Sequence, residues 1–153
     1  MMFETRISEL GLTIPSVPAP LAAYVPAVRT GNYVYTSGQL PFINGELIAI
    51  GQVHAEVDLD TAVLCARQCA LNALAAVKSV ITTLDDIEQI VKVVGFVSAP
   101  HDFAHHPRVI NGASELLGEI FGEAGKHARS AVGVSSLPMG APVELEMVVR
   151  IRS

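Results

Sequence analysis

The chain has 153 residues, half of them hydrophobic and 16% charged, which excludes intrinsic disorder and leaves room for one domain with a real core. Fifteen acidic against ten basic side chains give a net charge of −5, which disfavours a broad face for nucleic-acid phosphates. Charges interrupt each apolar run before the ~18 residues a membrane-spanning helix needs. MMFETRISEL has no continuous apolar segment, so a cytosolic protein without a secretory signal is expected.

In chain order, residues 2–10 predict a short amphipathic helix, with Phe3, Ile7 and Leu10 at helical spacing and Gly11 as its stop. Prolines at 15, 18, 20 and 26 then require an extended, irregular segment. VRTGNYVYTSGQLP alternates as strands about a turn at Gly31-Asn32. Gly45 marks another turn, and LIAIGQV reads as a further strand.

Asp58 or Asp60 is predicted to cap a long helix ending near Thr82. Its apolar stripe is Ala62, Cys65, Ala66, Cys69, Ala73, Ala76, Val77 and Val80. Cys65 and Cys69 read as small buried hydrophobes, since their spacing on one helix disfavours a disulfide. Ile87–Ala99 predicts a buried strand, and Pro107–Phe121 a second helix with proline in its first turn. ARSAVGVSSL and VELEMVVRI are the last two strands, separated by a turn over Pro138–Pro142. This order predicts an α+β fold over the whole of 1–153, with two main helices on one face of a single sheet. A mean hydropathy of +0.44 is high for a soluble monomer and predicts a homo-oligomer that hides apolar surface.

Several segments together resemble the Rid family of reactive intermediate deaminases, also called YjgF. They are AAYVPAV (Ala22–Val28), YTSGQLP (Tyr35–Pro41), VINGAS (Val109–Ser114), HARSAVGV (His127–Val134) and LPMGAPVELE (Leu137–Glu146). The N-terminal helix, GFVSAPHDF and FGEAGKHARSAVGV look most like a longer branch often labelled an endoribonuclease. The resemblance implies a chorismate-mutase-like fold: a six-stranded mixed sheet with two helices on one face. It also implies a homotrimer with clefts between subunits. The implied activity is hydrolysis of enamines and imines such as 2-aminoacrylate to 2-keto acids and ammonia, without a metal or organic cofactor.

Carried onto matching positions, the resemblance makes Arg129 the holder of the substrate carboxylate. A planar guanidinium fork suits that group. Glu144, fifteen positions later, is implied to position or activate the attacking water. Glu146 shares its face by strand alternation. Tyr24 matches a loop tyrosine that reaches ligand across a subunit boundary. Ser37 and Gly38 match the SGQ turn, where a hydroxyl and a close backbone N–H meet the ligand. Asn111 matches the asparagine of the second helix's site-facing turn. Ala131 stands where many members carry cysteine, so only its backbone N–H can serve. The long Asp102–Arg129 segment is a second departure and bears on substrate identity.

His101, Asp102, His105 and His106 are dense but are expected to be a polar loop, because neighbouring histidines cannot converge on one ion from one helix face. Ser130 and His127 with nearby acids make no triad, since nothing places a base against Ser130. The leading reading is a trimeric imine/enamine deaminase. The alternatives are an endoribonuclease, opposed by the charge and the few lysines, and a metabolite-binding module without chemistry.

Overall fold

The structure is a computed structural model that describes residues 2–17 and 23–153. Pro18, Pro20 and the first residue of the AAYVPAV motif lie outside the described residues.

Helix α1 (Phe3–Glu9) buries Phe3 and Ile7. Glu4 ties it down, pairing with Lys78 at 2.9 Å and accepting from the Leu84 N–H at 3.1 Å. Strands β1 (Ala27–Thr30) and β2 (Tyr33–Thr36) form the expected hairpin. Gly31 takes a φ of 58°, the left-handed conformation glycine allows at low cost. A second, minor hairpin pairs β3 (Phe42–Ile43) with β4 (Glu46–Leu47) across Asn44 and Gly45, both at positive φ.

LIAIGQV does not form the strand expected of it. Only Leu47 lies in β4, and Gly51 at φ 122° bends the chain away from a ladder. Ile48 and Ile50 stay exposed. The main sheet therefore has five strands among the described residues, with the small hairpin beside it.

Helix α2 (Leu59–Lys78) starts where the Asp58 carboxylate accepts from the Thr61 N–H at 2.7 Å. It ends four residues before the expected Thr82. Ser79 turns its hydroxyl onto the Ala76 carbonyl at 2.6 Å, and the β-branched run Val80–Thr83 follows. The Ala/Cys stripe is buried as expected. Both cysteines are free and buried, and burial pushes the Cys65 thiol up to about 11.

Strands β5 (Ile87–Ser98), β6 (Ala128–Val134) and β7 (Val143–Ile151) and helix α3 (His106–Phe121) complete the fold. The sheet order is β1-β2-β7-β5-β6, with β5/β6 parallel and the other pairs antiparallel. Parallel pairing needs a crossover, and α3 supplies it. In β7, Val143, Leu145, Met147, Val149 and Ile151 are buried, alternating with half-exposed Glu144, Glu146, Val148 and Arg150. The buried row packs on α2, and with α3 over β5 and β6 it forms one core. The opposite face of the sheet carries exposed Val28, Tyr35 and Val132.

Where α3 crosses α2, Gly112 lets the backbones touch: a Cβ there would run into the Val63 carbonyl. Gly112→Ala is expected to destabilise the fold by about 1–3 kcal/mol, because a backbone atom cannot step aside. Chemical denaturation should read this as a lower midpoint at unchanged slope.

Candidate functional site

Arg129 lies on β6, an edge strand, opposite Val93 of β5 on the face turned toward the helices. Asn111 and Ser114 stand three apart on α3 and so share one helix face. One Arg129 nitrogen, Nη1, donates to Asn111 Oδ1 at 2.8 Å and to Ser114 Oγ at 3.1 Å. The guanidinium is thus aimed by two neutral acceptors. Among the described residues it has no carboxylate within ion-pair distance. Ala131 is two positions along the same strand and half-buried.

The sequence reading missed the partner of this group. His127 Nε2 lies 2.9 Å from Ser114 Oγ, and its Nδ1 lies 2.7 Å from the Gly125 carbonyl. A carbonyl only accepts, so Nδ1 carries the proton in the neutral ring and Nε2 accepts from the Ser114 hydroxyl. Burial, helped by the nearby Arg129 charge and opposed by the Gly125 carbonyl, holds the imidazole below its ordinary pKa. A base is therefore set against a serine, but that serine is Ser114, not Ser130. The available signal was spacing: Ser114 follows Asn111 by three on a helix, and His127 precedes Arg129 by two beside a strand. Ser114, His127 and Arg129 border an open cleft of about 740 Å³ that continues past Gly118, Gly122 and Lys126.

Glu144, Ser37 and Gly38 form a second group elsewhere. A Cβ on Gly38 would meet the Glu144 carboxylate and displace it, so glycine lets the turn lie against that carboxylate where it stands. The Ser37 N–H donates to the Pro26 carbonyl at 2.8 Å and its hydroxyl to the Val25 carbonyl at 2.5 Å. These bonds fasten the segment that carries Tyr24, whose side chain is exposed. Partial burial, and secondarily Glu146 on the same face, raise the Glu144 pKa.

Within one chain, Arg129 and Glu144 do not meet. Glu144 pairs with Phe96 and Arg129 with Val93, on either side of β5. Strand geometry puts their Cα atoms about 14 Å apart. Their side chains also leave opposite faces: Arg129 bonds to α3, while Glu144 sits between buried Val143 and Leu145.

His105 and His106 pack edge-on against Phe103 at 5.8 and 5.2 Å, and His54 joins the same ring at 5.8 Å. Their geometry is that of an aromatic cluster.

The fold and the sequence as a whole match a known family. Residues 4–148 match the family model described as "YjgF/chorismate_mutase-like, putative endoribonuclease". The chain belongs to this YjgF/chorismate mutase-like family. Protein TCP17 of Trypanosoma cruzi is 36% identical over 149 residues, covering 97% of this chain and 93% of that protein. The 2-iminobutanoate/2-iminopropanoate deaminase of Dermatophagoides farinae is 31% identical over 141 residues, covering 92% and 94%. The crystal structure of Atu1372 from Agrobacterium tumefaciens, whose function is given as unknown, superposes with a TM-score of 0.91 at 42% identity, covering 99% of this chain and 94% of that one. Among the described residues, no helix is long and apolar enough to cross a membrane.

Proposed function

We propose that the protein is a cytosolic hydrolase of small carboxylate-bearing enamines and imines, releasing 2-keto acids and ammonia. The observation that carries this reading is Arg129: a guanidinium aimed from an edge strand by Asn111 and Ser114 into a cleft, with no carboxylate partner among the described residues. Such a group is suited to the two-oxygen face of a substrate carboxylate. The name of the Dermatophagoides relative supports the reaction class.

An imine needs little help from the protein, because its C=N carbon is already electrophilic. Water attacks the carbon of the protonated imine while Glu144 takes one of its protons, which leaves a neutral carbinolamine. Glu144 returns that proton to the nitrogen, ammonia leaves as the hydroxyl oxygen forms the keto C=O, and the hydroxyl proton passes to solvent. A carboxylate with a raised pKa is matched to both steps, since it can take a proton and give it back. The opposite facing of Arg129 and Glu144 supports a site assembled between subunits. Tyr24, Ser37, Gly38 and Glu144 come from one chain in this arrangement, and Arg129, Asn111 and Ala131 from its neighbour. The exposed Val28, Tyr35 and Val132 would be covered in a homotrimer.

The test generates imines with an amino-acid oxidase and traps what remains with semicarbazide. Faster keto-acid release with the protein present, and less trapped imine, are expected. Unchanged trapping across several amino acids, with 2-oxobutyrate still bound, would make the protein a metabolite-binding module. RNA cleavage, which the family description favours, is the second reading. Cleavage that co-purifies with the oligomer and disappears in Arg129→Ala would put it first.

A further inference from the structure

We propose that Ser114 and His127 belong to the anion site, and that a carboxylate bound at Arg129 brings with it a proton taken up at His127. This rests on the carboxylate reading of Arg129 above.

The geometry is a directed chain. With a neutral imidazole, Arg129 donates to Ser114 Oγ, the Ser114 hydroxyl donates to His127 Nε2, and His127 Nδ1–H donates to the Gly125 carbonyl. The serine proton is then committed inward and is not offered to a ligand in the cleft. Protonation at Nε2 reverses one link. Nε2–H now donates to Ser114 Oγ, whose two lone pairs can accept from both His127 and Arg129. The serine proton is freed to donate to a third partner. A carboxylate held at Arg129 supplies that acceptor and offsets the second positive charge.

Proton and anion therefore favour each other. Linkage requires the effect to be reciprocal: the ligand raises the His127 pKa, and the protonated site binds the ligand more tightly. The ring by itself resists protonation because it is partly buried and faces Arg129. The other charged groups bordering the cleft are Glu123 and Lys126, paired with each other at 2.8 Å in solvent. From α3 the cleft is bordered by uncharged Ser114 and Gly118. Glu144 also titrates, so a pH profile of affinity would mix two groups.

The experiment follows the His127 ring by NMR from about pH 8 to about pH 5, with and without saturating 2-oxobutyrate. Comparison with His127→Gln assigns the resonance among the five histidines. The expected result is a midpoint raised by about one pH unit on binding, the equivalent of ~tenfold tighter binding to the protonated form. In Ser114→Ala the histidine should still titrate, with the ligand-induced shift reduced to a few tenths of a unit. His127→Gln should bind 2-oxobutyrate with correspondingly less dependence on pH. A bound ligand with an unshifted His127 midpoint overturns the coupling and leaves the carboxylate reading standing. A shift that survives undiminished in Ser114→Ala overturns the relay, since Coulomb attraction alone would then account for it. No binding at millimolar 2-oxobutyrate overturns both.

Discussion

Co-expressed Arg129→Ala and Glu144→Gln chains should hydrolyse imines that neither variant turns over well alone. The two residues leave opposite faces of the sheet, on strands separated by β5. A site that uses both must then take them from different subunits. In a hybrid trimer, some clefts receive Arg129 from a Glu144→Gln chain and Glu144 from an Arg129→Ala chain, and these clefts are intact. Random assembly makes about a quarter of the clefts intact, so about a quarter of the parental rate is expected. Hybrids confirmed by mass, with activity no higher than the sum of the separate variants, would show that the site is not shared in this way. Light scattering that gives the single-chain mass of 16.2 kDa would remove the basis of the experiment altogether.

The second large effect separates binding from chemistry. Arg129→Lys keeps the charge but loses the planar fork and its bonds to Asn111 and Ser114. It should weaken 2-oxobutyrate binding at least tenfold, about 1.4 kcal/mol or more, by calorimetry. Glu144→Gln keeps the size of the side chain but cannot accept a proton. It should lower kcat by about 10²-fold while ligand affinity stays within a few-fold.

The pH dependence carries the same assignment. Glu144 must be ionised to act as a base, and its pKa lies above the ordinary glutamate value. The parent rate should therefore fall with decreasing pH through that raised value. Glu144→Gln should lose this limb. Normal turnover by Glu144→Gln would make the carboxylate structural and leave the water to backbone groups near Ser37 and Gly38. The same shift acts on stability in the opposite sense. The folded state holds the Glu144 proton more tightly than the unfolded chain does, so its contribution is present at low pH and lost as pH rises through the raised pKa. His127 behaves inversely: its pKa is depressed, so its contribution is present above the ordinary imidazole value and lost as pH falls through the depressed one.

Much of the fold is written in local chemistry. Helix α2 follows from Asp58 as a cap and from small apolar residues repeating at helical spacing. Strand β7 follows from strict alternation and spans the expected residues, while α2 starts at the expected cap and stops four residues short. Periodicity is legible because a helix or strand repeats its own geometry regardless of what it packs against. LIAIGQV shows the limit of that logic. Its residues suit a strand, but a strand needs a partner ladder, and Gly51 turns this segment toward Ser98, whose carbonyl receives the Val53 N–H at 2.8 Å.

The candidate site divides along the same line. Arg129, Asn111, Ser37, Gly38, Tyr24 and Glu144 were identifiable from motif resemblance, and spacing alone put Glu146 on the face of Glu144. Three further matters were decided only in three dimensions. Arg129 points toward α3 while Glu144 points away from it, because the parity of each strand's register against β5 decides its faces. Gly38 lies against Glu144, because β2 and β7 are neighbours although more than a hundred residues separate them. Ser114 receives a base from His127, because the parallel β5-α3-β6 crossover returns the chain across the helix it has just left. Sequence carries the periodicities and residue types that local backbone chemistry enforces. Which side chains meet across elements depends on register and crossover, and these are settled when the core packs.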